Sequence, residues 1–198
     1  MFVQVIEARL ADEAAVRRLA HQWDADVKPG ATGFLGATAG MSADGTAIIF
    51  VRFVDEAAAV WNERRPEHTA WWNQVLAVFE EAPSVEASAD IQLLLAGGSD
   101  DAEFVQVVRA PTPDRAKIDA LMTPEAIAGV QRSRPDLIGS IRAWLADGSF
   151  VEAAYFTSES AAREAEQSDD YEDAEAAFAE AYGPMTFVDL HAPIFLSP

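Results

Sequence analysis

Phe2-Val3-Gln4-Val5 returns about a hundred residues later as Phe104-Val105-Gln106-Val107, and this recurrence decides the fold. Working outward from it, Ala8 is matched by Ala110 and Gly36 by Gly139. Ala43-Asp44-Gly45-Thr46 is matched by Ala146-Asp147-Gly148-Ser149. The stretch from Val54 to Ala58 answers to Thr157 to Ala161, and Ala89-Asp90-Ile91 to Val188-Asp189-Leu190. The matches keep their order and a nearly constant offset, so the chain is a duplication of one unit. Residues 1–96 make the first copy, 97–102 a polar Gly/Asp linker, and 103–198 a second, degenerate copy.

Each copy reads as the same series of elements. A strand opens it, Phe2 to Ala8 and Phe104 to Ala110. A helix follows. Asp12 caps it in the first copy, ahead of Val16, Leu19, Ala20 and Trp23 at helical spacing; in the second, Thr112-Pro113-Asp114 supplies a cap and a first-turn proline. Next come two strands of a hairpin, Gly33–Ala39 with Thr46–Phe53 and Leu137–Leu145 with Ser149–Phe156, turning at Asp44-Gly45 and Asp147-Gly148. A second helical region runs from Asp55 to Glu81, broken at Pro66, and from Ser158 to Tyr182. A last strand closes each copy, Val85 to Leu95 and Met185 to Leu190 with a tail to Leu196. The order is β-α-β-β-α-β, an α+β class with an antiparallel sheet and helices on one face. The other face needs a cover, and two such sheets in one chain supply it for each other.

Two tandem ferredoxin-like units with sheets packed face to face resemble the dimeric α+β barrel superfamily, as an intramolecular pseudo-dimer in a monomer. The opening strand with its polar Gln4 and the segment Trp61-Asn62-Glu63-Arg64-Arg65-Pro66-Glu67-His68-Thr69-Ala70-Trp71-Trp72 are similar to antibiotic-biosynthesis-monooxygenase-like proteins. That resemblance implies a cofactor-independent monooxygenase-like enzyme acting on an aromatic or polyketide-type molecule. It also implies two alternatives: a non-catalytic binding or interaction protein, and a haem-binding or haem-degrading protein. The fold alone does not choose among them.

Composition narrows the field. The net charge of −19 repels phosphate backbones and anionic lipid surfaces, which argues against nucleic-acid and membrane partners. No apolar run is long enough to cross a bilayer, and the first residues read as a strand rather than a signal peptide, so a cytoplasmic location is the expectation. The absence of cysteine removes thiolate nucleophiles and thiolate metal sites. The acidic runs at Asp100-Asp101 and Asp169-Asp170 lack calcium-loop spacing, and no metal site is expected.

The copies differ in what bears chemistry. All but one of the tryptophans lie in the first copy, and the helix carrying Arg64, Arg65 and His68 there is acidic in the second, through Glu164 to Asp173. A single site in the first copy is therefore expected. His68 falls in helical phase with Trp71, Trp72, Val75, Leu76 and Phe79, which places it toward the sheet as a general base, an axial haem ligand, or an inert neighbour of a tryptophan cluster. Gln4 shares a strand face with Phe2 and Ile6, either orienting a ligand or bonded within the fold. Trp61, Trp71 and Trp72 offer a grip on a flat aromatic molecule or core packing, and Arg64 and Arg65 offer cations for a carboxylate or haem propionate, or charges that are solvated or paired with nearby acids. The expected partner is a small apolar or aromatic molecule, with no cofactor required.

Overall fold

The computed structural model describes residues 1–167 and 172–198. The chain forms two compact units, Met1–Ile91 together with Leu190–Pro198, and Gln92–Asp189. In the first unit β1 (Phe2–Arg9) pairs antiparallel with β3 (Thr46–Phe53), which pairs with β2 (Phe34–Met41). β4 (Ser84–Ser88) adds to the free side of β1. In the second unit β6 (Phe104–Ala110), β8 (Phe150–Phe156) and β7 (Leu137–Trp144) repeat the β1-β3-β2 arrangement. The registers match as well: Phe2 opposes Phe53, and Phe104 opposes Phe156.

The helices begin where side chains cap them. Asp12 accepts a hydrogen bond from the Ala15 N–H at the start of α1 (Glu13–Gln22). Asp55 accepts from Ala58 at the start of α2 (Glu56–Glu63), and proline at the first position opens α3 (Pro66–Leu76). The second copy departs from expectation here. Asp114, not Thr112, caps α4 (Arg115–Leu121), and Pro113 precedes the helix. The cap followed by proline is Thr123-Pro124, which starts a further helix, α5 (Pro124–Ser133), that the apolar pattern did not reveal. Ser158 caps α6 (Glu159–Ala165), and α7 (Glu172–Tyr182) completes the copy. The acidic run Asp169-Asp170 lies outside the described residues.

The closing strands need correction. The stretch read as one strand, Val85 to Leu95, is two: β4, then β5 (Ile91–Leu95). Ser88 Oγ accepts from the Asp90 N–H at 3.0 Å, a side-chain turn that ends β4. β5 lies beside β7 of the second sheet. The last strand, β9 (Thr186–Leu196), is longer than expected, and residues from His191 to Leu196 pair with β2 of the first sheet. Each sheet thus takes a strand from the other copy. The matched glycines allow close backbone approach, by β9 at Gly36 and by the segment just after β5 at Gly139. A Cβ on Gly36, whose φ is +116°, would lie 3.0 Å from the Leu196 carbonyl oxygen. One on Gly139 would lie 2.2 Å from the Gly97 carbonyl oxygen. No larger residue fits at either place without moving backbone.

Both faces of each sheet are buried. On the helix side of the first unit, Phe2, Trp23, Val27, Phe34 and Phe53 form one cluster, and Ala8, Leu19, Val75 and Phe79 another. Val3, Val5, Ile48 and Phe50 fill the opposite face and are almost wholly buried. Among the described residues no helix is long and apolar enough to cross a membrane.

Candidate functional site

The helix-facing side of the first sheet is not filled throughout. A cavity of about 370 Å³ lies over it. Gln4, Ile6, Ile49, Val51 and Phe53 make its floor; Trp23, His68, Trp71 and Trp72 stand on the helix side; Asn62, Glu63 and Thr69 supply polar groups. This volume lies within the range of small-molecule sites, as does the pattern of apolar walls with few polar groups.

Local structure places each wall. α1 does not end cleanly: residues Trp23–Val27 form a π-helical turn, with the Lys28 N–H donating to the Trp23 carbonyl. Such wide turns recur at functional sites. This one buries both Trp23 and Val27. Trp23 packs against Phe34 and Trp71, with centroids 5.2 and 4.9 Å away. Its indole N–H is buried and finds no hydrogen-bond partner among the described residues, a costly arrangement in a folded protein. Trp71 is held by a 2.9 Å hydrogen bond from its indole nitrogen to the Leu19 carbonyl.

His68 is half-buried in the first turns of α3 and ringed by indoles. It lies edge-on to Trp23 at 5.9 Å and stacked near Trp72 at 6.4 Å and 14°. Burial pushes its imidazole below the ordinary value, Glu63 draws it back up, and Arg65 adds to the lowering. The ring is therefore neutral at neutral pH and free to accept a proton.

Gln4 projects from β1 into the same space and donates to Glu63 Oε1 at 2.7 Å. The partner that a strand amide requires is thus a carboxylate on α2, five residues before His68. The sequence reading passed over Glu63, because nothing in one strand reveals which helix it will face. Thr69, Asn62 and the sheet residues Ile49 and Val51 were missed for the same reason.

Two expected site residues lie elsewhere. Trp61 is 51% exposed and does not line the cavity; its ring lies 5.7 Å from the Arg65 guanidinium. Arg64 is exposed at the C-terminal end of α2. Helical phase does not carry across the break at Pro66, so Trp61 and Arg64 follow α2 rather than α3. Arg65 is the half-buried one. It donates to the Val27 carbonyl at 2.9 Å and to Asn62 Oδ1 at 3.0 Å, tying α2 to the π-helical turn.

In the same region of the second unit, larger side chains stand where the first unit has small or apolar ones. By the repeat register, Ala39 and Ile49 correspond to Arg142 and Glu152. Arg142 pairs with Glu152 at 2.6 Å and donates to Tyr182 and Gln92. Burial opposes the Arg142 charge, but Glu152 and Tyr182 more than restore it. Gln106, the counterpart of Gln4, donates to Asp189, which also pairs with Arg163. Among the described residues no group of three or more His, Cys, Asp or Glu is placed to hold a metal.

No family model and no curated protein sequence matches the chain. Solved structures do. A protein of Fusobacterium nucleatum, named only as a candidate monooxygenase, superposes with a TM-score of 0.78 at 9% identity, covering 99% of this chain and 94% of its own. A similarly named protein of Lactobacillus acidophilus gives 0.74 at 12% identity, covering 99% of both chains. An anthrone oxidase-like protein gives 0.65 at 14% identity, over 99% of this chain and 92% of its own. At these identities the likeness is one of fold. The chain therefore shares the α+β fold of these proteins along its whole length.

Proposed function

We propose that the first unit is a small-molecule enzyme that oxidises a flat, electron-rich aromatic substrate with dioxygen, without a cofactor. The observation that carries this reading is the 370 Å³ cavity with the neutral His68 and the Gln4–Glu63 pair on its wall. A substrate with an acidic ring methylene, such as an anthrone, suits this wall. His68 takes a proton from that methylene, and Glu63 stabilises the imidazolium that results. The carbanion then reacts with dioxygen. One oxygen atom enters as a ketone, the other leaves as water, and the four electrons lost by the methylene carbon reduce the dioxygen. No external reductant is required. Trp23, Trp71 and Trp72 hold the ring system by stacking and area.

Haem does not suit this wall. The charged group lining the cavity is Glu63; Arg64 faces away and Arg65 is committed to Val27 and Asn62. A carboxylate in place of cations repels propionates. A second reading, binding without turnover, is favoured by the indoles packed on three sides of His68. Oxygen-electrode assays with anthrone and dihydroxynaphthalenes separate the two. Catalysis requires uptake that falls at least a hundredfold in His68→Ala. Binding of these compounds with no uptake in wild type would leave only the second reading.

A further inference from the structure

A second cavity, of about 80 Å³, adjoins the first. Ala37, Ile49, Trp71 and Leu196 border both. Its remaining wall is almost wholly apolar: Leu19, Ala39, Ala47, Val75 and Phe79 line it. Arg17 and His191 also border it, and Arg17 donates to the Ala192 carbonyl at 3.2 Å.

The fold does not oblige this space to be empty. The repeat register places Phe150 at the position of Ala47, and Arg142 at that of Ala39. In the second unit Phe150 packs on Trp144 at 5.3 Å and on Tyr182 at 5.5 Å, with the Arg142 guanidinium 4.5 Å from its ring. One backbone, built twice, is filled in one copy and left open in the other. The difference lies in two alanines.

We propose that the smaller cavity receives a short aliphatic chain carried by the aromatic ligand of the larger one. The proposal rests on the reading of the larger cavity as a ligand site. The chemistry fits an alkyl group and little else. Apart from His191 and Arg17, which already donates to the Ala192 carbonyl, the wall offers no side-chain partner to a hydroxyl or carboxylate, so a polar tail along it would be left unsatisfied. An apolar cavity of about 150 Å³ takes up benzene, so this one suits a chain of about three or four carbons. The substrate class is thus an aromatic nucleus with a short alkyl side chain, the nucleus beside His68 and the chain over Ala39 and Ala47.

The test is a binding series read by quenching of tryptophan fluorescence. The probes are 2-naphthol and its methyl, ethyl, propyl, butyl and hexyl derivatives. In wild type, Kd falls about fourfold per added methylene up to propyl or butyl, then levels off. In Ala47→Phe, and independently in Ala39→Leu, the dependence on chain length disappears while unsubstituted 2-naphthol binds as in wild type. Thermal melts confirm that each variant is folded. If 2-naphthol binds but the wild type shows no chain-length dependence, or a folded variant retains it, the proposal is wrong and the larger site stands. If 2-naphthol does not bind at all, the reading of the larger cavity falls, and the proposal with it.

Discussion

His68, Glu63 and Gln4 form the smallest unit of the site, and their coupling is testable without a substrate. Burial lowers the His68 value and the Glu63 carboxylate raises it, so Glu63→Gln moves it further down. An NMR titration of the His68 ring reads the shift; an unchanged or raised value would show that the carboxylate does not act on the imidazole. The same depression sets a pH dependence of stability. Above the ordinary value of 6.5 both folded and unfolded chains hold a neutral ring, and His68 contributes nothing. Below 6.5 the unfolded chain takes up a proton that the folded one resists, so stability falls until the pH reaches the folded value. His68→Asn removes that part of the acid loss, which urea melts on the acid side of 6.5 would reveal. His68 was legible in the sequence because its phase with Trp71, Trp72 and Val75 lies within one helix. Glu63 was not, because its partner Gln4 comes from a strand far away in the chain.

At the scale of elements, the break at Pro66 explains both success and failure in the sequence reading. Proline at the first position of α3 fixed where that helix starts, and Asp12, Asp55 and Ser158 marked three other starts correctly. Trp61 and Arg64 belong to α2, ahead of that break, and do not line the cavity that α3 faces. Arg65, at the junction, is 12% exposed and bonds to the backbone of the π-helical turn that carries Trp23. Arg65→Ala loses charge-assisted hydrogen bonds and is expected to cost about 1.5–3 kcal/mol in denaturant unfolding. Arg64→Ala, on the exposed side, is expected to stay within about 0.5 kcal/mol of wild type. Equal costs for the two would contradict the assignment. The closing strands were misread because period-2 alternation shows that a segment is a strand but not which sheet receives it. The Gly36 and Gly139 match held that information, as the close approach of Leu196 and Gly97 shows.

At the scale of the whole molecule, the duplication was plain in the sequence, and its inequality only half so. The loss of tryptophans from the second copy was visible. That Arg142 and Glu152 occupy what Ala39 and Ile49 leave open required the register. The ion pair gives a sharp expectation. Glu152→Gln leaves the buried Arg142 charge uncompensated and costs about 3–5 kcal/mol, whereas Arg142→Ala with Glu152→Ile, the residues of the first copy, costs less than the two single changes added. Additive costs would mean that the pair is not coupled. The central claim is that only the first copy holds a ligand, and calorimetric titration of 2-naphthol into the full chain tests it most directly. The account predicts one equivalent bound per chain, abolished by Val51→Trp on the floor of the large cavity. Two equivalents per chain, or one bound undiminished in folded Val51→Trp, would contradict it.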